Sequence, residues 1–222
     1  MARDDRRVEY PIAAATTALV SVDLQVGFGR DSWEPVPQAE AAVRNFIRAA
    51  QAWREVGGTV IHVHTFYTPE RGPTGRMTDF ASDIANALAK DAPATAFYDG
   101  VVQESDILVC KTCFGAVISS DLLAQLQSRK LDTAVVGGLT TPICVQTTVD
   151  GLSMSGIKVV LLEDACASQA IGRFSAEQAH QAAVDRMGYV FAQIETTAGF
   201  IANTKTMTCS SGFGTSRARA SS

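Results

Sequence analysis

The chain has 222 residues, of which 46% are hydrophobic and 19% charged, and its formal net charge is −4. This composition suits one α/β domain with a full core, and the mild, scattered charge gives no reason to expect nucleic acid or an anionic membrane as a partner. No run of about 18 apolar residues predicts a membrane span, and the charged residues 1–7 together with the scattered cysteines favour a cytoplasmic protein with reduced thiols.

Along the chain, short segments rich in β-branched residues alternate with segments that have helical spacing of apolar residues. Strands are predicted at 16–23, 59–65, 106–110, 133–137, 158–162 and 189–194. Helices are predicted at 38–56, 120–129, 142–155 and 176–187, and residues 66–105 are predicted to form a long excursion with one helix near 78–89.

Strands separated by helices predict right-handed crossovers and a parallel sheet that is covered on both faces. We therefore expect a three-layer α/β/α fold with a doubly wound, mostly parallel six-stranded sheet, in one domain spanning residues 1–206. Residues 207–222 are rich in Ser, Thr, Gly and Arg without periodicity, and they are predicted to be a disordered tail.

Residues able to carry out covalent catalysis follow the predicted strands. Asp23 follows the first strand, His64 the second, Lys111 the third and Cys144 the fourth. Ligands of an open parallel sheet bind beyond the carboxyl ends of its strands. An acid, a base and a thiol at these ends are the groups that a nucleophilic enzyme needs.

The residues around Cys144 predict a helix start. Thr141 suits the N-cap and Pro142 the first helical position, which would place Cys144 in the first turn. Unpaired backbone N–H groups and the positive end of the helix favour a thiolate there and can bind an oxyanion. The alternative interpretation is that Cys144 is a small buried hydrophobic residue, as most isolated cysteines are.

Three segments resemble the isochorismatase-like cysteine hydrolases in order and spacing, over roughly residues 12–205: LVSVDLQVGF, LVCKTCFGAV and VVGGLTTPICVQTTVDGLSMSGIKVVLLEDACAS. That superfamily includes nicotinamidases, N-carbamoylsarcosine amidases and ureidoacrylate or biuret hydrolases. The resemblance implies the isochorismatase-like fold with a Rossmann-like strand order. It also implies a small-molecule substrate, no cofactor, and a homodimer or homotetramer.

The same resemblance implies that Asp23, Lys111 and Cys144 form a catalytic triad. The oxyanion hole is implied to consist of the backbone amides of Thr140 and Cys144, with a cis peptide bond between Leu139 and Thr140. The namesake isochorismatases lack the cysteine and cleave a vinyl ether. Cys144 therefore favours hydrolysis of a C–N bond in a small carboxamide, ureido or N-carbamoyl compound through an acyl-enzyme, releasing ammonia or an amine.

Two alternatives to amide hydrolysis remain open at this point. One is ether or ester hydrolysis, and the other is a non-catalytic binding member of the superfamily. Many relatives have an aspartate two residues before the cysteine, where this chain has Pro142. Any substrate or subunit contact made by that aspartate is therefore in doubt here.

The predicted wall of the substrate pocket comes from residues that follow the strands: Gln25, Phe28, His64, Tyr67, Arg71, Phe114 and Phe174. An arginine near the pocket mouth would suit a carboxylate-bearing substrate, although solvated surface arginines are commoner.

His62 and His64 alternate on one strand, but the following residues lack further metal ligands, so His62 is predicted to be a core residue and no metal site is expected. The isolated pair Cys110 and Cys113 has no second pair to complete a zinc site.

Overall fold

A computed structural model of the protein describes residues 8–32 and 34–211, with side chains through residue 206. Six parallel strands form one sheet in the order β3-β2-β1-β4-β5-β6. These strands are β1 (Thr17–Val22), β2 (Thr59–Thr65), β3 (Ile107–Lys111), β4 (Thr133–Leu139), β5 (Lys158–Ala167) and β6 (Gln193–Glu195). This is the predicted Rossmann-like order, and its direction reverses between β1 and β4, where ligands of such sheets bind.

Helices cover both faces of the sheet. They are α1 (Ala39–Glu55), α2 (Met77–Phe80), α3 (Ile84–Ala87), α4 (Ala116–Ser119), α5 (Leu122–Ser128), α6 (Gln146–Met154), α7 (Ala176–Val190) and α8 (Thr197–Ser211). Helices α1 and α8 pack on one face, and α4 to α7 pack on the other. The predicted three-layer α/β/α fold is confirmed.

The central strand β1 explains why the sheet needs both helical layers. All six of its residues are buried, and successive side chains point to opposite faces. Ala18, Val20 and Val22 belong to the core beneath α4 to α7, whereas Leu19 belongs to the core beneath α1. A strand that is apolar on both sides is stable only when both faces are covered.

Several predicted boundaries differ from the observed ones. The strand predicted at 189–194 was wrong in its first half, because α7 continues to Val190 and β6 contains only Gln193–Glu195. The excursion 66–105 holds two short helices, α2 and α3, where one was predicted. Helix α8 was not predicted at all, because its apolar residues have almost no helical periodicity.

Helix α8 extends to Ser211 and so enters the segment that was predicted to be a tail. Residues 212–222 lie outside the described part of the chain, and the domain boundary at 206 stays a prediction.

Among the described residues, no helix combines the length and apolar character that crossing a bilayer requires.

Candidate active site

A glycine at the end of β4 lets the two central strands approach each other closely. Gly138 pairs with Val22 of β1, and its φ of +146° lies outside the range that other residues readily adopt. A Cβ atom on Gly138 would lie 2.1 Å from the carbonyl oxygen of Val22. Because Asp23 follows Val22 and Cys144 lies six residues beyond Gly138, this contact brings the acid and the thiol to the same place.

The three residues predicted to form a catalytic triad meet at the carboxyl ends of their strands. The Nζ atom of Lys111 lies 2.9 Å from Oδ2 of Asp23 and 3.6 Å from Sγ of Cys144. Lys111 also donates a hydrogen bond of 3.1 Å to the carbonyl of Cys113. All three side chains are covered, with 0% of Asp23, 1% of Lys111 and 6% of Cys144 exposed.

The two carboxylate oxygens of Asp23 have different surroundings. Oδ1 accepts a hydrogen bond of 2.9 Å from the hydroxyl of Thr65, at the end of β2. Oδ2 faces the Lys111 ammonium, but among the described residues no hydrogen bond of good geometry reaches it. Oδ2 therefore keeps the capacity to accept a proton, and Thr65 fixes the orientation of the group.

Burial dominates the protonation of the thiol. It raises the pKa of Cys144 to about 12, and the attraction of the Lys111 ammonium offsets only part of that rise. Burial acts to lower the pKa of Lys111, but the charges of Asp23 and Cys144 outweigh it and the pKa is raised. Burial therefore favours the protonated thiol, and attack by Cys144 needs a base that takes the thiol proton. The expectation of a resting thiolate, drawn from the helix start alone, omitted this cost of desolvation.

The segment that carries Cys144 begins with a cis peptide bond between Leu139 and Thr140, as the resemblance implied. A π-helical turn, Thr141–Val145, then leads into α6. The carbonyl of Thr140 accepts hydrogen bonds from the amides of Ile143 (3.1 Å) and Val145 (3.2 Å), which flank the amide of Cys144.

Thr141 does not cap a helix as predicted. It is the first residue of the π-helical turn, and its hydroxyl lies 2.8 Å from Nδ1 of His180 on α7. No side-chain cap hydrogen bond is present at the start of the turn. The tertiary partner on α7 replaces the local cap, which sequence spacing cannot reveal.

Gln25 lies beside the triad, but its amide group is used within the fold. Its Nε2 donates to the carbonyls of Thr65 (2.9 Å) and Thr95 (2.8 Å), and its Oε1 accepts from the amide of Thr65 (2.8 Å). Gln25 thus connects the end of β2 to the excursion. The geometry favours a supporting role over the substrate contact that was predicted.

Three of the predicted wall residues belong to one small apolar cluster. Tyr67 packs with Met77 and Leu88, and Phe28 and Phe114 pack against this cluster from the side. The hydroxyl of Tyr67 donates to the sulfur of Met77 at 3.1 Å. Burial raises the pKa of Tyr67, which also responds to the charges of Lys111, Asp23 and Cys144, so the cluster lies next to the triad.

His64 and Arg71 lie at the same end of the sheet. The ring of His64 stacks on Phe97 at 5.2 Å between centroids and contacts Phe66 at 5.3 Å. Burial lowers the pKa of His64, while Asp23 acts to raise it and Arg71 to lower it. The guanidinium of Arg71 donates to the carbonyl of Cys110, the residue before Lys111.

Phe174 stands apart from this group. It is 48% exposed in a turn beside α7, where the guanidinium of Arg173 lies 5.9 Å from its ring centroid. No contact found among the described residues joins it to Asp23, Lys111 or Cys144.

Within the described part of the chain, no three His, Cys, Asp or Glu side chains are arranged to hold a metal ion.

Sequence reasoning missed Thr65 and the carbonyl of Cys113 as partners of the charged pair. Thr65 could have been found from strand order, because it ends β2 next to the strand that carries Asp23. The Cys113 carbonyl could not, because its position depends on how the chain turns after β3. These two groups add the hydrogen bonds that a buried ion pair needs.

The fold and the site together define a class of protein. A three-layer α/β fold holds a cysteine, an aspartate and a lysine at the switch point of a parallel sheet, as expected of a cysteine hydrolase. A family model described as the Isochorismatase domain matches residues 17–199. The chain therefore belongs to the isochorismatase family.

Similar proteins support this assignment. The chain is 31% identical to the isochorismatase family protein YecD of Escherichia coli O157:H7, which is described as uncharacterized, over 70% of this chain and 81% of that protein. The crystal structure of a cysteine hydrolase from Pseudomonas syringae pv. phaseolicola 1448A superimposes with a TM-score of 0.85 and 26% identity, over 90% of this chain and 97% of the other.

Two relatives have names that refer to activity. A probable inactive nicotinamidase of Arabidopsis thaliana is 28% identical over 68% of this chain and 81% of its own length. Maleamate amidohydrolase of Pseudomonas putida KT2440 is 21% identical over 66% of this chain and 70% of its own length. The family is thus shown for this chain, while the bond it cleaves is a separate question.

Proposed function

We propose that this protein is an amidohydrolase that cleaves a C–N bond of a small carboxamide, ureido or N-carbamoyl compound. The observation that carries the proposal is the buried contact of Lys111 with both Asp23 (2.9 Å) and Cys144 (3.6 Å). A thiol, a base and a cation in one site are the groups needed for acyl transfer to sulfur. The similarity to a maleamate amidohydrolase agrees with this bond type.

In the first half of the reaction, the thiol proton of Cys144 passes to Oδ2 of Asp23 as sulfur attacks the substrate carbonyl carbon. The S–C bond forms and the carbonyl electron pair moves to oxygen, where the backbone amides of Thr140 and Cys144 would stabilise the negative charge. The intermediate then collapses, the C–N bond breaks, and Asp23 returns its proton to the leaving nitrogen. Ammonia or an amine is released and the acyl group remains on sulfur.

In the second half, Asp23 accepts a proton from water while the water oxygen attacks the acyl carbon. The S–C bond breaks and Asp23 returns the proton to the sulfur of Cys144. Because the pKa of Cys144 is raised by burial, the thiol is regenerated in its protonated form. Asp23 thus acts as base and then acid in each half, and no cofactor takes part in these steps.

Lys111 has two tasks in this scheme. Its ammonium compensates the carboxylate of Asp23, which would otherwise be a buried and isolated charge. It also lies close enough to Cys144 to stabilise the thiolate as the proton leaves. Thr65 holds the carboxylate from the other side, so Oδ2 stays directed at the site.

The proposal is tested by measuring ammonia or amine release from a panel of small amides, ureido compounds and N-carbamoyl acids. We expect turnover of at least one compound and a covalent acyl adduct on Cys144, detected by mass spectrometry after rapid quenching. Cys144→Ala should abolish both signals, and Cys110→Ala, which changes a cysteine outside the triad, should preserve them.

Parallel assays with esters and enol ethers separate the alternatives. Turnover of these compounds without any amide turnover would replace the C–N assignment with ether or ester hydrolysis. No turnover and no adduct in either panel would mean a non-catalytic member of the family.

A further inference from the structure

One arginine beside the site has no acidic partner. Arg71 is exposed, and no ion pair to it occurs among the residues that the structure describes. Arg76, five residues further along the same excursion, is paired with Asp79 at 2.5 Å. Arg71 therefore keeps an uncompensated positive charge, whereas the charge of Lys111 is already balanced by Asp23.

The position of Arg71 is fixed by the backbone around it. Its amide donates to the carbonyl of Thr68, and the amide of Thr68 donates to the carbonyl of Arg71, both at 3.1 Å. This turn directly follows Tyr67, whose amide and carbonyl are hydrogen-bonded to Leu88 and Lys90. The guanidinium is further held by the carbonyl of Cys110. An arginine has five N–H donors, so this contact leaves donors for a ligand.

His64 supplies a second polar group next to Arg71. Its ring is held by stacking on Phe97, and among the described residues no hydrogen bond to its two nitrogens is present. His64 pairs with Cys110 in the register of β2 and β3, and the carbonyl of Cys110 accepts the hydrogen bond from Arg71, so both side chains adjoin the same strand residue. The charges of both Asp23 and Arg71 act on the imidazole. Because burial favours the neutral imidazole, one of its nitrogens can donate a hydrogen bond without adding charge.

We propose that Arg71 and His64 bind a carboxylate of the substrate, so that the compound cleaved at Cys144 is an amide, ureido or carbamoyl derivative that also carries a carboxylate. This inference rests on the proposed function, since it places the carboxylate on the molecule whose C–N bond is broken. A planar guanidinium matches the geometry of a carboxylate, and the charge of Arg71 has no acidic partner among the described residues, so it can attract an anion.

The test uses pairs of compounds that differ only in the carboxylate: succinamate with butyramide, glutaramate with valeramide, and N-carbamoylglycine with ethylurea. The wild-type protein should have the higher kcat/KM for the acid of at least one pair. In Arg71→Ala the ratio of kcat/KM for acid to neutral compound should fall about 10- to 100-fold, mainly through KM, because a charge-assisted hydrogen bond is lost. Arg76→Ala, which removes an arginine already paired with Asp79, is the matched control and should leave the ratio unchanged.

An unchanged ratio in Arg71→Ala would overturn the inference, as would preferential turnover of the neutral member of each pair. The second result would leave the amidohydrolase proposal intact, so the two failures are distinguishable. If no compound is turned over, calorimetry with Cys144→Ala decides instead. Binding of glutaramate that weakens at least about tenfold in Cys144→Ala with Arg71→Ala supports the carboxylate site. Absence of binding, or equal binding in both variants, overturns it.

Discussion

Two buried clusters of polar and nucleophilic side chains lie on neighbouring strands of this sheet, and they occupy different positions along those strands. In the first, Ser21 on β1 lies 2.7 Å from Nδ1 of His62 on β2, whose Nε2 lies 3.0 Å from Asp106. These are the residue types of a serine hydrolase triad. In the second cluster, Asp23 and Cys144 contact Lys111 at the carboxyl ends of the strands.

The two clusters differ in the partners of their carboxylates. A carboxylate only accepts hydrogen bonds, so the neutral ring of His62 donates a hydrogen bond from Nε2 to Asp106. Its Nδ1 then accepts a hydrogen bond from the hydroxyl of Ser21. Asp106 also accepts hydrogen bonds from Arg54 (3.1 Å) and from the amide of Gln103 (2.7 Å). Asp23, by contrast, pairs with the Lys111 ammonium at 2.9 Å and accepts a hydrogen bond from Thr65. The comparison teaches that position along the strand, rather than residue type, distinguishes the proposed reactive cluster from the structural one.

The largest expected effect separates the two candidate nucleophiles. With an amide found in the panel, Cys144→Ala should lower kcat by about 10⁴-fold or more, because a residue of a concerted catalytic group is lost. Ser21→Ala should keep kcat within a factor of about three, because the hydroxyl of Ser21 is enclosed in the sheet. A large loss of turnover in soluble, folded Ser21→Ala would contradict the distinction between the clusters.

A second prediction concerns the charge balance of the reactive cluster. Lys111→Met should lower the free energy of unfolding by about 3–5 kcal/mol, because it leaves the carboxylate of Asp23 buried and unpaired. Combining it with Asp23→Asn should recover much of that loss. Lys158→Met provides the control, since it breaks an exposed ion pair with Asp132 (2.7 Å) and should cost less than about 1 kcal/mol. Urea unfolding measures all four proteins, and equal losses for the two lysine variants would refute the prediction.

A smaller effect is expected in the structural cluster. Ser21→Ala should lower the free energy of unfolding by about 1–3 kcal/mol, because Nδ1 of His62 loses its hydrogen bond inside the protein. Ser128→Ala removes an exposed hydroxyl bonded to the carbonyl of Gln125 and should cost less than about 0.5 kcal/mol. Chemical unfolding of both variants checks the difference, and no loss in Ser21→Ala would argue against the role of this hydrogen bond.

The smallest effect is a pH dependence of stability. Burial lowers the pKa of His62 below its usual value, so the unfolded chain takes up the proton first as the pH falls. Stability should therefore decrease from about pH 6.5 downwards, by at most about 1.4 kcal/mol per pH unit for this histidine. The pKa values of His64 and His180 are also lowered, so the total slope is larger.

Replacing His62 isolates its share of this slope. His62→Gln should show a shallower fall in unfolding free energy between about pH 6.5 and 5.5 than the wild-type protein, when both are measured by urea unfolding. His180→Gln gives the corresponding share of a histidine that contacts Thr141 rather than Asp106. Identical slopes in His62→Gln and the wild-type protein would mean that His62 does not titrate in this range.

Much of the fold and the reactive cluster was accessible from the sequence because both depend on local patterns. Buried strands are short and apolar, and residues that follow them in a parallel sheet gather at one edge, which placed Asp23, Lys111 and Cys144 together. The structural cluster escaped notice because it depends on the alignment of β1 with β2 and on the position of Asp106 before β3. The protonation of Cys144 was missed because its burial is a property of the whole packed core.

The excursion 66–105 shows a different limit. Its elements are too short for periodicity to define. Its contacts with the segments that follow the strands include the side chain of Gln25, which donates to the carbonyl of Thr95, and backbone hydrogen bonds such as the one from the amide of Tyr98 to the carbonyl of Leu24. The sequence could mark Arg71 as a candidate, but only the structure shows that Arg76 has a partner and Arg71 has none among the described residues. The spacing of three residues between Arg76 and Asp79 suits an ion pair, but spacing alone does not show that the pair forms.

The close contact of Gly138 with Val22 also sets where this protein can change. No side chain fits at position 138 without pushing apart β1 and β4, the two strands that lead to Asp23 and Cys144, so we expect a saturation library to retain only glycine there. A Cβ atom on Gly72, in the excursion, would meet no other atom within 4 Å, so this position should accept many residues. We therefore expect a change of substrate specificity to be engineered more readily by varying the excursion than by altering the strand junction beneath it.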